Sequence, residues 1–342
     1  MTVAEEESLR GILVEQVDRL LADSGGPGVL RAAERGEWPD ALWAEAEALG
    51  LPLALAPEAM GGAGLGWEDA AAVWQALGRH GSALPLAQSM AAAALLGLAG
   101  IEPPAGFVAL ALPGETVAWG RRAVHVAAVG EAGQVALHDG AAVEWRRAAD
   151  PLSREPADRP VAFGAAPLRT GRLPGAESAR NAGALLHATL IAGALEAALD
   201  MAVDYANTRK QFGRPIGAFQ AVQQQLAVCA SEAAAAAVAC AAAGRAADRR
   251  GLHDAGFQIG SAKVVAGEAA GTGAAIVHQV FAAIGFTDDH PLHLFTRRMW
   301  SWRNAAGAER VWARRIGEAA LARGGEALWP DLTARNEERG DA

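Results

Sequence analysis

Cysteine is nearly missing from this chain: Cys229 and Cys240 are the only two among 342 residues. Both fall in an alanine-rich helical stretch, so a disulfide scaffold is excluded and buried, reduced thiols are expected. A basic surplus is missing too. Thirty Lys and Arg face 39 Asp and Glu, giving a formal net charge of −9 and a pI near 5.4. Little is left to neutralise phosphates, so no nucleic-acid partner is expected. The local clusters Arg297, Arg298, Arg303 and Arg310, Arg314, Arg315 lie in helix-like segments and read as solvated faces. The opening MTVAEEESLR is acidic and lacks an apolar h-region, so no signal peptide is expected. The most apolar run, MAAAALLGLAGI at residues 90–101, is too short to span a bilayer. The resulting expectation is a cytoplasmic protein with no membrane segment. GGAGLG at residues 61–66 is not a phosphate loop, since no strand precedes it and no Lys-Ser follows.

What is present is ordinary globular composition, 51% apolar and 20% charged, with length for two or three domains. Residues 7–100 read as helices: Leu13, Val17, Leu20 and Leu21 keep helical spacing, as do Leu42, Ala46 and Leu49. PEAMGGAGLG at residues 57–66 interrupts them. After Pro103 and Pro104 the character changes. GFVALAL, AVHVAAVG, GQVALHDG and AVEWRRA are short and valine-rich between turn signals, which predicts consecutive antiparallel strands, with VAFG and TGRLPG finishing the region. From about Ala179 to Arg323 long alanine- and leucine-rich helical patterns return, suited to a bundle with mostly covered faces. No fixed-period repeat is detectable. The predicted fold is α+β, with a helical domain at residues 1–103, a β domain at 104–178 and a helical bundle at 179–342.

One stretch asks for more than packing: YANTRKQFGRPIGAFQAVQQQLA, residues 205–227. Tyr205 and Arg209, four apart, are expected on one helix face. Gly213, Pro215 and Gly217 are expected to stop that helix. Phe219, Val222 and Leu226 then form an apolar stripe, leaving Gln220, Gln223 and Gln224 for other faces. Arg209 with Gln211 and Phe212 at a helix end, and Gln220 at the next helix start, make an anion-and-ring clamp, arginine being suited to a bidentate grip on phosphate. A solvated arginine capping its own helix carbonyls fits the same residues.

The stretch resembles the flavin-binding signature of the acyl-CoA dehydrogenase family. PEAMGGAGLG is similar to that family's glycine loop. HQVFAAIGFTDDHPLHLFTRR follows its second motif through Gln279, Gly285, Pro291 and Arg297, with Ala282 and Ala283 where the family has paired glycines. The resemblance covers nearly the whole chain. It implies an N-terminal helical domain, a small central β-barrel or sandwich and a C-terminal four-helix bundle. It also implies an FAD site: Arg209 on the pyrophosphate with Gln211 and Phe212 nearby, Ile216, Phe219 and Gln220 at the adenosine end, and Gln279 with the Ala283 backbone completing it. In that family these groups reach across a dimer interface to a neighbour's FAD. The implied reaction is α,β-dehydrogenation of an acyl-CoA, of fatty-acid or steroid side-chain type, in which a carboxylate takes the α-proton and the β-hydrogen leaves as hydride. Electron-transfer flavoprotein is the implied acceptor.

The chain departs from the pattern where the base belongs. The usual position is Ala306 and the alternative used by some relatives falls at about Gly183; neither accepts a proton. Asp288, Asp289 and Glu309 are carboxylates nearby in sequence, but none matches a family base, so the catalytic residue stays unassigned. The Ala306 backbone N–H can still donate to a thioester oxygen. Where the family places hydroxyls for the isoalloxazine, only Thr116 is comparable; Trp119 and Trp145 read as β-domain core. The chain therefore resembles the short subunit of α2β2 heterotetramers with a longer homologue, although a homo-oligomer with a relocated base fits too. Three readings follow: an FAD-dependent dehydrogenase subunit, a non-catalytic partner that completes the FAD site, and a related flavin monooxygenase or nitroalkane oxidase. DDHPLH at residues 288–293 reads as a turn and no metal is expected. Trp300, Trp302 and Trp312 read as core or interface, and His187 as a satisfied core histidine.

Overall fold

The computed structural model describes residues 3–334; residues 1–2 and 335–342, at the two ends of the expected outer domains, lie outside the described residues. Helices α1 (Val3–Ser24), α2 (Pro27–Glu34), α3 (Asp40–Ala48), α4 (Trp67–Arg79) and α5 (Leu86–Leu98) come first. Their apolar positions face inward, among them Leu42, Trp43 and Ala46 of α3 and Val73, Trp74 and Leu77 of α4. The glycine loop at residues 57–66 ends on Gly66, just before α4. Asp248, from a later helix, accepts the N–H groups of Trp67 at 2.6 Å and Glu68 at 2.9 Å. Two orphan donors of α4 are thus satisfied from across the fold. A Cβ on Gly66 would stand 2.9 Å from Asp248 Oδ1, so glycine is what lets that carboxylate in.

Seven strands follow: β1 (Val108–Ala111), β2 (Val117–Ala118), β3 (His125–Val129), β4 (Gln134–Asp139), β5 (Val143–Arg146), β6 (Ala157–Phe163) and β7 (Arg169–Arg172). They form two sheets, β1-β3-β4-β7 and β2-β6-β5. The expectation of antiparallel neighbours fails at the first pair, because β1 and β3 run parallel. Between them β2 departs to the second sheet, and a helical turn at Gly120–Arg122 carries the chain back so that β3 enters in the direction of β1. Trp119, at φ 55°, starts that turn and stacks edge-on against Trp38 at 5.1 Å. Trp38 and Trp43 both meet Phe107, a knot of rings joining α3 to the β region. Trp119 is core, as expected.

The remaining elements are α6 (Ser178–Thr208), β8 (Lys210–Gln211), β9 (Arg214–Pro215), α7 (Gln220–Asp254), α8 (Gly256–Phe281), α9 (Leu292–Asn304), α10 (Glu309–Arg323) and α11 (Gly325–Ala334). Helices α6, α7 and α8 pack on one another, with α9 along α6, α10 along α8, and α4 against α6 and α7. Small residues set these approaches. A Cβ on Gly193 of α6 would lie 1.9 Å from the Gln75 carbonyl oxygen of α4, so the two backbones touch there. Helix α7 buries Cys229, Ala233, Ala236, Cys240, Ala243 and Ala247 at three- and four-residue steps. Burial pushes the Cys229 thiol up to about 11 and that of Cys240 up to about 12, so both are inert. Among the described residues three segments, Ser178–Thr208, Gln220–Asp254 and Gly256–Phe286, are long and apolar enough by composition to cross a membrane, each longer than residues 90–101. Alanine spreads their hydropathy over many turns. The apolar window of Ser178–Thr208 is 78% buried inside the fold, that of Gln220–Asp254 only 28%.

The arginines expected on solvated faces divide in two. Arg314 does pair with Glu318 at the surface. Arg298 is completely buried and joins three regions: it donates to Glu34 of α2 at 3.2 Å and to Glu155, between β5 and β6, at 2.8 Å. Arg297 donates to both oxygens of Glu34, at 2.5 and 2.6 Å.

Candidate functional site

Helix α6 ends at Thr208, and Arg209 already has extended geometry, its N–H closing the last turn on the Tyr205 carbonyl at 2.8 Å. Arg209 thus caps the last turn directly above Tyr205, and only its ψ leaves the helix. The chain instead enters the β8–β9 hairpin, with Lys210 opposite Pro215 and Gln211 opposite Arg214. Its two loop residues, Phe212 and Gly213, stand at φ 51° and 80°, the positive values a tight hairpin of native twist requires. Gly213 and Pro215 thus act through this hairpin, which takes the chain away from the helix. Phe212 projects with 92% of its surface exposed. Arg214 lies over the Phe219 ring at 4.2 Å. Arg209 and Gln211 are exposed, Ile216 is buried, Phe219 half-buried, and Gln220 opens α7 on the surface. Among the described residues the Arg209 guanidinium has no hydrogen bond or ion pair, so it does not cap its own helix.

The second motif comes to the same end of the bundle. Tyr205 stacks on Phe281 with ring centroids 4.4 Å apart, setting the end of α8 beside the end of α6. Gln279 and Ala283 are exposed on the last turn of α8 and on the short helical turn after it. Ala282, in a glycine position of the family pattern, adopts φ 52° and ψ −139°. That is a glycine conformation, and alanine held in it stores strain of about 1–3 kcal/mol. Gly285 keeps its glycine because a Cβ would meet Phe281 Cβ at 2.9 Å. Residues 288–291 form the connection to α9, with Asp288 almost fully exposed.

The two base positions face one another. A Cβ on Gly183 of α6 would lie 3.2 Å from Ala306 Cβ and 2.9 Å from Leu112 Cδ1. All three line a cavity of about 290 Å³, together with Glu115, His187 and Trp302. Ala306 and Gly307, at φ 54° and 92°, make the turn from α9 to α10, and the Ala306 carbonyl accepts from Trp312 Nε1 at 2.9 Å. His187 Nδ1 lies 2.7 Å from the Gly183 carbonyl, and burial pulls its pKa down to about 3, leaving the neutral, satisfied histidine expected. Asp288, Asp289 and Glu309 do not line this cavity. Glu309 is instead bound by Arg303, which holds its carboxyl below the usual range. Thr116 lines the same cavity.

The carboxylate that reading the sequence missed is Glu115. Burial raises its pKa, opposed by a hydrogen-bonding interaction with the Ala306 backbone and by the charges of Lys263 and Arg159. The clue was its place beside Thr116, in the stretch compared with the family's flavin-contacting run. Lys263 was missed too, a lone cation within the apolar α8. It is wholly buried, and its Nζ donates to the carbonyls of Trp302 at 2.8 Å and Arg303 at 2.9 Å, closing α9 just before Ala306. Burial lowers its pKa to about 7, against the raising influence of Glu309 and Glu115. The unfolded lysine keeps the ordinary value of 10.5, so between about 7 and 10.5 the unfolded chain binds more protons. Stability conferred through Lys263 should therefore be constant below pH 7 and rise above it. Denaturant titrations at pH 7 and 9.5 should show wild type gaining on Lys263→Met as pH rises; parallel curves would refute this.

Family models match both helical parts, "Acyl-CoA dehydrogenase, N-terminal domain" over residues 8–102 and "Acyl-CoA dehydrogenase, C-terminal domain" over residues 175–321. The chain is 34% identical over 313 residues to acyl-CoA dehydrogenase IpdE2 of Mycobacterium tuberculosis, covering 87% of this chain and 92% of that protein. Among solved structures, a variant of the Tcur3481–Tcur3483 steroid ACAD superposes with TM-score 0.81 at 25% identity, over 94% of this chain and 99% of the other. The ChsE4–ChsE5 complex of Mycobacterium tuberculosis gives TM-score 0.76 at 25% identity, over 93% and 97%. Structures of this fold also include FAD complexes.

Proposed function

This chain belongs to the acyl-CoA dehydrogenase family, and we propose that it is the short subunit of a mixed, FAD-dependent acyl-CoA dehydrogenase. One observation carries the reading: an outward-facing clamp with an unpartnered Arg209 stands on a chain whose two adjoining base positions are Gly183 and Ala306. The exposure of the hairpin suits a cofactor held mainly by another chain. Arg209, with Gln211 and Phe212, grips the pyrophosphate; Ile216, Phe219 and Gln220 border the adenosine; Gln279 and the Ala283 backbone close the far side. FAD, when bound, supplies the hydride-accepting chemistry. The longer homologue supplies the carboxylate that takes the α-proton of the acyl-CoA, and this chain orients the cofactor's ADP half.

The names of the relatives, a steroid ACAD and a two-protein complex among them, support a heteromeric assembly acting on a fatty-acyl or steroid side-chain thioester. The assembly works in the cytoplasm and passes electrons to an electron-transfer flavoprotein. The test is purification of the chain alone and co-produced with a longer homologue, recording visible spectrum and mass together. The chain alone should be colourless, and the mixed assembly should hold about one FAD per pair. One flavin per chain in a homo-oligomer would overturn the reading.

A further inference from the structure

Two cavities of about 290 Å³ each lie on either side of Ala306. One reaches His187, Leu190 and Trp302 among the helices. The other is bordered by Glu131, Arg180 and Arg315, and both open to solvent. Only Leu112, Glu115 and Ala306 line both, so these three residues are the partition. Leu112 and Glu115 belong to one tight turn after β1, closed by the Glu115 N–H on the Leu112 carbonyl at 3.2 Å.

We propose that the turn at residues 112–115 is a built-in plug that separates the two cavities and closes the passage a thioester would take between them in this chain. The proposal deepens the assignment of the chain as a subunit that lends its clamp and does no chemistry itself. Leu112 fills the volume into which an acid at residue 183 would project, since its Cδ1 stands 2.9 Å from where that side chain would begin. Glu115 lines both cavities beside Ala306, whose backbone N–H is the group available to a thioester oxygen, and a carboxylate oxygen is the closest side-chain imitation of an enolate. Its charge is balanced from the interior by Lys263 and from the rim by Arg159. A thioester entering at Ala306 would have to displace that carboxylate.

The same placement argues against Glu115 as a relocated base. A base stands beside the carbon next to the carbonyl while the carbonyl oxygen occupies the amide. Glu115 stands beside that amide, in the place the oxygen would take. Restoring an acid by Ala306→Glu alone therefore leaves the channel shut.

Thiol labelling tests the plug without flavin, partner or substrate, so its outcome is independent of the subunit assignment. The native thiols Cys229 and Cys240 are buried and inert, leaving an Ala306→Cys variant as the reactive reporter. With methyl methanethiosulfonate it should react slowly in the otherwise native chain. Adding Leu112→Gly and Glu115→Ala should speed labelling at least ten-fold, with circular dichroism unchanged. Should that combination fail to fold, Glu115→Gln in the same reporter chain should still speed it at least three-fold. Equal rates with and without the plug residues would overturn the proposal. So would bleaching of a flavin-loaded chain by butyryl-CoA that Glu115→Gln abolishes, because Glu115 would then be the base.

Discussion

Replacing Arg298 with methionine is expected to destabilise the fold by about 3–5 kcal/mol, the usual result of leaving a buried charge without its partner. The side chain is wholly buried, and it donates to Glu155 at 2.8 Å, Glu34 at 3.2 Å and the Leu294 carbonyl at 2.9 Å. Methionine keeps much of the volume, so the loss is electrostatic rather than a cavity. Glu34 retains Arg297, but among the described residues Glu155 pairs with no second cation. Burial already raises the Glu155 carboxyl above its ordinary range, with Arg298 opposing that rise. Without Arg298 the folded pKa climbs further, so the unfolded chain releases its proton first and stability falls as pH increases. The deficit should be larger at pH 8 than at pH 5. Adding Glu155→Leu should recover more than half of it, since an apolar pair often matches a buried ion pair. Denaturant midpoints for the two variants decide the matter: a single variant within 1 kcal/mol of wild type would show that the network is not holding the three regions together.

The second large effect concerns the hairpin. Arg209→Ala should weaken FAD retention by the mixed assembly by about ten- to a hundred-fold, the equivalent of losing one charge-assisted hydrogen bond of roughly 1.5–3 kcal/mol. Arg209 lies outside α6, is exposed, and among the described residues its guanidinium has no hydrogen bond or ion pair, so far-UV circular dichroism and melting should not move. Equal flavin content in variant and wild-type assemblies would exclude Arg209 from the clamp. Because the guanidinium is free in the isolated chain, the variant separates cofactor affinity from folding cleanly.

How much was legible in advance depended on how far apart the cooperating residues were. The long helices declared themselves because their alanines and leucines repeat at helical spacing, and five of the longer strands after Pro104 were bounded by glycine or acidic turns. The parallel pairing of β1 with β3 was invisible, since it depends on β2 crossing to another sheet over two residues, too short a strand to show periodicity. The helix end at Arg209 was legible from the glycines and proline that follow it, but the hairpin there was not, since the positive φ of Phe212, rare for an aromatic, carries no composition signal. At the base site, Gly183 and Ala306 could each be located by counting from a motif. Their contact with one another, and with Leu112 and Glu115 from the β region, exists only after three separate segments have packed. The buried status of Arg298 and Lys263 was illegible for the same reason, as a cation's partners lie elsewhere in the chain.

Tyr205 is the only tyrosine in the chain, and it lies against Phe281 at the foot of the hairpin, where both motifs converge. The molecule thus carries its own reporter. Isotope labelling at the tyrosine ε-carbons yields a single ring signal whose shift is set by the face of Phe281 beneath it, and whatever docks on the hairpin or reorients the end of α8 is written into that one resonance. A property usually engineered into a binding surface is here supplied by composition.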